Sequence, residues 1–137
     1  MSLRNAQLTR GIKTAGQFYG GFRNKTKVIS ATYTVKASDS GYLLIVSAAD
    51  LVLTLPATAK GYLFRFVLAA AGLSAGTGLS ISPATVDKFI GNGFTPLDNK
   101  DAILAGSGDR AGDYLQVEGD GVDGYYITGV IGTWTRE

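Results

Sequence analysis

The fold is decided by residues 112–134, GDYLQVEGDGVDGYYITGVIGTW. In the first half, Leu115 and Val117 alternate with polar neighbours. The second half alternates in the same way, at Tyr125, Ile127, Gly129 and Ile131. Period-two alternation places successive side chains on opposite faces of a strand, so that one face can be buried. Because residues 119–124, GDGVDG, are rich in turn-forming types, the stretch predicts a hairpin with a loop longer than two residues.

Short β-type segments separated by turns recur through the rest of the chain. Residues 62–68, YLFRFVL, predict the best central strand, with Arg65 on the face opposite to the aromatic residues. Residues 42–46, YLLIV, are apolar without alternation, which is typical of a strand covered on both faces. Further strands are predicted at residues 32–36, 51–55, 79–82, 86–90 and 103–104. About nine strands at this spacing predict an all-β fold, a compact and jelly-roll-like sandwich or barrel.

Composition restricts the chemistry that this fold can perform. The 137 residues include no cysteine and no histidine, which removes disulfides, thiolate nucleophiles and the commonest general base and metal ligand. We therefore expect no enzyme activity, no cofactor, no bound metal and no small-molecule substrate. A depolymerase that uses paired carboxylates is the remaining catalytic alternative. No apolar run approaches 18 residues and the first residues lack a signal-like hydrophobic segment, so we expect no membrane partner.

Charge divides the chain into two parts. Residues 1–27 contain six basic and no acidic residues, whereas residues 28–137 contain seven basic and eleven acidic residues. The charges of +6 and −4 agree with the net +2 of the whole chain. The basic part shows neither a helical nor a two-residue apolar period, so it is not expected to fold alone. The sequence thus predicts an extended basic N-terminal arm, residues 1–30, followed by a β body, residues 31–137.

Three roles compete for this arm. It can be a solvated tail, a nucleic-acid ligand, or a segment that docks on an acidic protein surface. Widely spaced charges and a small net charge make nucleic acid the weaker choice. We favour docking, with apolar anchors at Leu3, Leu8, Ile12, Phe18 and Phe22. The predicted contact residues are Arg4, Arg10, Lys13, Phe18, Tyr19, Phe22, Arg23, Lys25 and Lys27.

Two polar motifs suggest ligands, but both have a simpler explanation. Residues 106–111, GSGDRA, match a dinucleotide-binding loop, yet a strand and not a helix is predicted to follow. Glu118, Asp120 and Asp123 could offer oxygens to calcium, but their spacing departs from that of a calcium-binding loop. Turn formation explains these aspartates, and solvation explains the pair Asp109 and Asp113.

The aromatic residues could form a platform for a sugar. Most of them fall on alternating strand positions, so a place in the core or in a subunit interface is the favoured interpretation. They are Tyr19, Tyr42, Tyr62, Tyr114, Tyr125, Tyr126 and Trp134.

The order of these segments resembles a β module of tailed-phage virion proteins. The resemblance covers residues 33–134: a turn at 38–41, an apolar strand, Leu-Thr-Leu-Pro at 53–56, and Gly61 before an aromatic strand. It ends with a Gly-Asp-x-hydrophobic strand at 112–117, a Gly-Asp-Gly turn, and an aromatic strand at 125–129. Similar modules occur in tail fibres.

Together with the arm, the chain is similar to capsid decoration, or cement, proteins. This resemblance implies a homotrimer on the outer surface of the virion, assembled in the host cytoplasm, whose arms lie across subunits of the major capsid protein. The alternative is a tail-fibre or head-fibre module that binds host-surface glycan.

Overall fold

The computed structural model describes residues 25–73, 78–104 and 108–137. The strands of this part are β1 (Lys25–Ile29), β2 (Tyr33–Thr34), β3 (Tyr42–Val46), β4 (Val52–Thr54), β5 (Leu63–Leu68), β6 (Leu79–Ser82), β7 (Lys88–Ile90), β8 (Ala102–Leu104), β9 (Tyr114–Gly119), β10 (Gly124–Ile131) and β11 (Trp134–Arg136). A 3-10 turn, Ala37–Asp39, lies between β2 and β3.

The strands form two sheets. The six-stranded sheet has the order β1-β3-β5-β9-β10-β7, and the five-stranded sheet has the order β11-β8-β6-β4-β2. From β1 to β8 the chain alternates between the two sheets. Strands β1, β3 and β5 are parallel in one sheet, and β2, β4 and β6 are parallel in the other. The first half therefore consists of three stacked coils, each of which contributes one strand to each sheet.

The predicted all-β sandwich is confirmed, with a specific connectivity. Its parallel coils differ from the paired Greek keys of a jelly roll, and only the second half is mainly antiparallel. Strand β5 alternates as predicted, with Phe64, Phe66 and Leu68 buried. The core between the sheets also holds these buried side chains: Leu44, Val46, Leu53, Leu79, Ile81, Phe89, Leu104, Leu115, Val117, Tyr125 and Trp134.

Strand β10 departs from the predicted alternation. The pairing with β9 shifts between Ile127 and Gly129, so one extra residue is accommodated there. Such a bulge reverses which face the following side chains occupy. Tyr125 is buried as an inward residue, but Ile131, expected on the same face, is 58% exposed.

The loop between β9 and β10 forms the predicted turn. Asp120 Oδ1 accepts backbone hydrogen bonds from Val122, Asp123 and Gly124 at 2.8–3.0 Å. The bonds from Gly124 and Val122 lower the pKa of the Asp120 carboxyl. Turn formation therefore accounts for Asp120, as the sequence predicted.

Candidate interaction surface beside β1

The described chain begins inside the predicted arm. Lys25 and Lys27 lie in β1, which pairs with β3 at the edge of the six-stranded sheet. The boundary predicted at residue 30 is therefore too late, because residues 25–29 belong to the sandwich. The other predicted arm contacts lie outside the described residues: Arg4, Arg10, Lys13, Phe18, Tyr19, Phe22 and Arg23.

Lys27 forms an ion pair with Asp39 inside the body. Its Nζ donates to Asp39 Oδ1 at 2.6 Å, and Asp39 is only 1% exposed. The second carboxylate oxygen, Oδ2, accepts from the Tyr33 hydroxyl at 2.7 Å and from the Lys36 amide at 2.9 Å. This network joins β1 to β2 and to the 3-10 turn. Lys27, which the sequence placed among the partner contacts, therefore stabilises the body by joining β1 to it.

The same network shifts the pKa of both charged groups. Burial by itself would raise the pKa of Asp39, but the bonds from Lys27, the Lys36 amide and Tyr33 outweigh burial and hold that pKa below its ordinary value. The bonds to Asp39 and Tyr33 raise the pKa of Lys27. Both groups are thus charged at neutral pH.

The lysines of β1 also protect the edge of the sheet. Lys25 Nζ lies 5.8 Å from the centre of the Tyr42 ring, and Lys27 Nζ lies 5.6 Å from the same centre. Both ammonium groups therefore make cation–π contacts with this ring. Charged residues on an edge strand discourage pairing with a strand of another molecule. Of the two lysines, Lys25 remains exposed to solvent.

The outer face of the six-stranded sheet carries an apolar row. Its members are register partners on β1, β3, β5, β9 and β10: Val28, Ile45, Val67, Tyr114 and Ile131. Val28 at one end is 62% exposed and Ile131 at the other is 58% exposed, while the three between them are partly exposed. We call these five residues the outer row. At about 4.8 Å between neighbouring strands, the row is about 19 Å long.

The sequence predicted part of this surface incorrectly. Strand β3 was expected to be covered on both faces, but only Leu44 and Val46 are buried. No described residue covers Leu43 and Ile45 fully, and both remain partly exposed. The outer row could not be read from the sequence, because its members come from five strands whose register depends on the bulge in β10.

The outer face of the five-stranded sheet is different. Its register partners on β4, β6, β8 and β11 are Val52, Ser80, Ile103 and Thr135. On the same face, Thr54 of β4 is the register partner of Ser82 of β6. Hydroxyl side chains thus predominate on this face, although Ser80 is itself buried.

A cleft lies at the opposite end of β9 from the glycine turn. Its volume is about 570 Å³, and its walls come from residues 108–113, residues 131–133 and Leu104. Asp109 and Asp113 are both buried in these walls. The Arg110 amide donates to Asp113 Oδ2 at 2.8 Å, and the Gly72 amide donates to Asp109 Oδ1 at 3.0 Å. Both carboxylates therefore fix loops, and the prediction that they are merely solvated is wrong.

Two further buried groups were not predicted. Asp87 accepts from the Thr58 amide at 2.7 Å, and Ser80 donates to Asp101. Asp87 sits beside a turn, where its sequence resembles that of any exposed loop, whereas Ser80 lies within strand β6. Sequence alone gives no signal that separates these aspartates from solvated ones.

The described part of the chain limits some other classes of site. Residues 25–73, 78–104 and 108–137 contain no cluster of three or more acidic side chains arranged to hold a metal ion. No helix in these ranges is long and apolar enough to cross a membrane. The motif at residues 106–111 lies partly outside the described residues, and the chain continues from it into strand β9.

The aromatic residues do not form one platform. Tyr125 and Trp134 are buried on different sheets, Tyr42 contacts the lysines of β1, and Tyr114 belongs to the outer row. Tyr19 lies outside the described residues.

In comparison with known proteins, no family model matches the sequence, and no curated protein matches it.

Proposed function

We propose that this chain is a structural virion protein that binds the outside of a phage capsid and stabilises the shell by bridging subunits of the major capsid protein. In this proposal it acts as a homotrimer on the virion surface, is assembled in the host cytoplasm, and binds without catalysis. The module resemblance and the charge division of the sequence support it.

The position where the arm enters the body is the observation that carries the proposal. Residues 1–24 contain four basic and no acidic residues, and they lead directly into β1 at the edge of the sandwich. A segment at an edge can extend away from the body without crossing the core. The network of Lys27 and Asp39 fixes the strand from which the arm leaves, so a load on the arm is transmitted to the sandwich.

The physical effect follows from linkage. A protein that binds the assembled shell and not the free subunits stabilises the shell by mass action. Several arms on one oligomer add avidity when they reach neighbouring subunits. The basic residues Arg4, Arg10, Lys13 and Arg23 then lie on acidic shell surface, with Phe18, Tyr19 and Phe22 as apolar anchors.

Capsids prepared without this protein provide the test. We expect the purified full chain to sediment with these capsids and to raise their disruption temperature. A chain lacking residues 1–24 keeps all of β1, so it should fold and yet lose binding. Equal binding by the truncated chain would remove the arm from the mechanism.

A tail-fibre or head-fibre module that binds host glycan is the second candidate. The observation in its favour is the cleft of about 570 Å³, whose walls include Arg110 and Thr133 beside the two buried aspartates. Clefts of this size suit small ligands. A glycan array separates the candidates, because a glycan module binds defined saccharides and a decoration protein binds none.

A further inference from the structure

The outer row is apolar, whereas the solvent-exposed face of a sheet usually carries polar side chains. Parallel strands are usually covered on both faces, and β1, β3 and β5 are parallel to one another. Each contributes one aliphatic residue to the row: Val28, Ile45 and Val67. The hydroxyl-rich outer face of the other sheet shows that this chain does place polar residues on exposed strands. A contiguous exposed apolar strip of this kind marks a contact surface.

The row begins on the strand into which the arm leads. Val28 is the fourth residue of β1, and the 24 residues of the arm end immediately before that strand. At roughly 3.3 Å per extended residue, Val28 lies about 13 Å along the chain from residue 24. A surface that holds the end of the arm is therefore next to the outer row.

Charge on the same face indicates the chemistry of that surface. Arg65 lies on β5 two residues from Val67, and its Nη2 donates to the Gly41 carbonyl at 2.7 Å. Among the described residues Arg65 belongs to none of the ion pairs. Arg65 is therefore the charged group beside the row, which suits an apolar strip that carries an acidic residue at that position.

We propose that the outer row is the part of the body that lies against the capsid shell, beside the shell site of the arm. This inference rests on the proposed function. In it, two parts of the chain contact the shell. The arm supplies charge and reach, and the outer row supplies apolar area that fixes the orientation of the sandwich on the shell.

Threonine substitutions test the inference in the full chain. The face variant carries Val28→Thr, Ile45→Thr, Val67→Thr and Ile131→Thr, which keep β-branched side chains in the strands and remove apolar surface. Val52→Thr is the matched control, because Val52 is a 40% exposed strand valine on the other outer face. If the face variant does not fold by circular dichroism, the double variant Val28→Thr, Ile131→Thr takes its place, since it alters only the two most exposed members.

Binding is measured by cosedimentation with capsids prepared without this protein. We expect at least a tenfold higher Kd for the face variant and less than a twofold change for the Val52→Thr control. A face variant that binds within twofold of the unchanged chain overturns the inference and leaves the proposed function standing. If the unchanged chain does not bind capsids, the proposed function fails, and the inference fails with it.

Two other occupants of the row have their own signatures. If a second copy covers the row, the face variant has a lower molar mass than the unchanged chain in light scattering. If the chain's own arm covers it, deleting residues 1–24 increases binding of a hydrophobic dye, and the face variant abolishes that increase. Either result overturns the inference.

Discussion

Lys27 Nζ lies 2.6 Å from Asp39 Oδ1, which ties the strand at the edge of the sandwich to a buried carboxylate twelve residues later. The contact brings a residue of the basic N-terminal region into the body. Lys27 thus holds β1 in place, whereas the proposed capsid contact is assigned to the basic residues before position 25.

Replacing Asp39 should weaken the fold at this edge. Asp39→Asn removes the charge that Lys27 faces and leaves the Tyr33 hydroxyl and the Lys36 amide with a poorer acceptor. Because buried donors that lose their acceptor are costly, we expect a loss of about 1–3 kcal/mol in the free energy of unfolding, measured with urea. Asp98→Asn is the control, since Asp98 is 59% exposed in its 3.2 Å pair with Lys88. A comparable loss in both variants would contradict a special role for Asp39.

The stability of the protein should fall in acid. The folded-state pKa of Asp39 is below its ordinary value, so the unfolded chain binds more protons at low pH. The contribution of Asp39 is therefore complete above pH about 4, the ordinary carboxyl pKa, and is lost as the pH falls through the folded-state value. Urea unfolding between pH 7 and pH 2 should show a shallower decline for Asp39→Asn. Asp120, whose pKa is also lowered, retains part of the slope in that variant. Parallel curves for the two proteins would refute this assignment.

Tyr125 should control stability in alkali. Its hydroxyl donates to the Pro56 carbonyl at 2.8 Å, and burial raises the pKa of this tyrosine. A raised folded-state pKa means that the contribution is complete below pH about 10 and declines above it. Tyr125→Phe should cost about 1 kcal/mol at pH 7 and should make the loss of stability above pH 10 less steep. Chemical denaturation at pH 7, 10 and 11 measures both effects, and an unchanged alkaline slope counts against the assignment.

Gly124 should tolerate no side chain. A Cβ at this position would lie 2.1 Å from the carbonyl oxygen of Lys88 and 2.6 Å from its amide nitrogen, and the backbone φ is +151°. Gly124→Ala should therefore separate β10 from β7 and cost at least about 3 kcal/mol in urea unfolding. In Gly108→Ala the new Cβ meets nothing within 4 Å, so a change within about 0.5 kcal/mol is expected. Near-equal values for the two variants would be inconsistent with the pairing of β7.

Local patterns in the sequence predicted individual strands well. The alternation of residues 62–68 appears in β5, and residues 114–119 and 124–131 form the predicted hairpin of β9 and β10, although the bulge interrupts the alternation in β10. These predictions succeed because period two is a property of one strand. The choice of pairing partner depends on several strands at once. Nothing in the sequence therefore showed that β1, β3 and β5 are parallel or that the chain alternates between sheets.

The candidate site was harder to predict for a physical reason. Strand β1 was assigned to the arm because its lysines gave it the charge of the preceding residues, while their partner Asp39 sits in what looks like an ordinary turn. The outer row depends on the bulge in β10, which turns Ile131 outward. Both features are long-range contacts, and only the folded chain brings their members together.

Cryo-electron microscopy of capsids prepared without this protein, with and without the purified full chain added, tests the central claim most directly. The account predicts added density on the outer surface of the shell, with a thin extension from each sandwich that crosses onto a neighbouring capsid subunit. Identical shell density in the two preparations would contradict it.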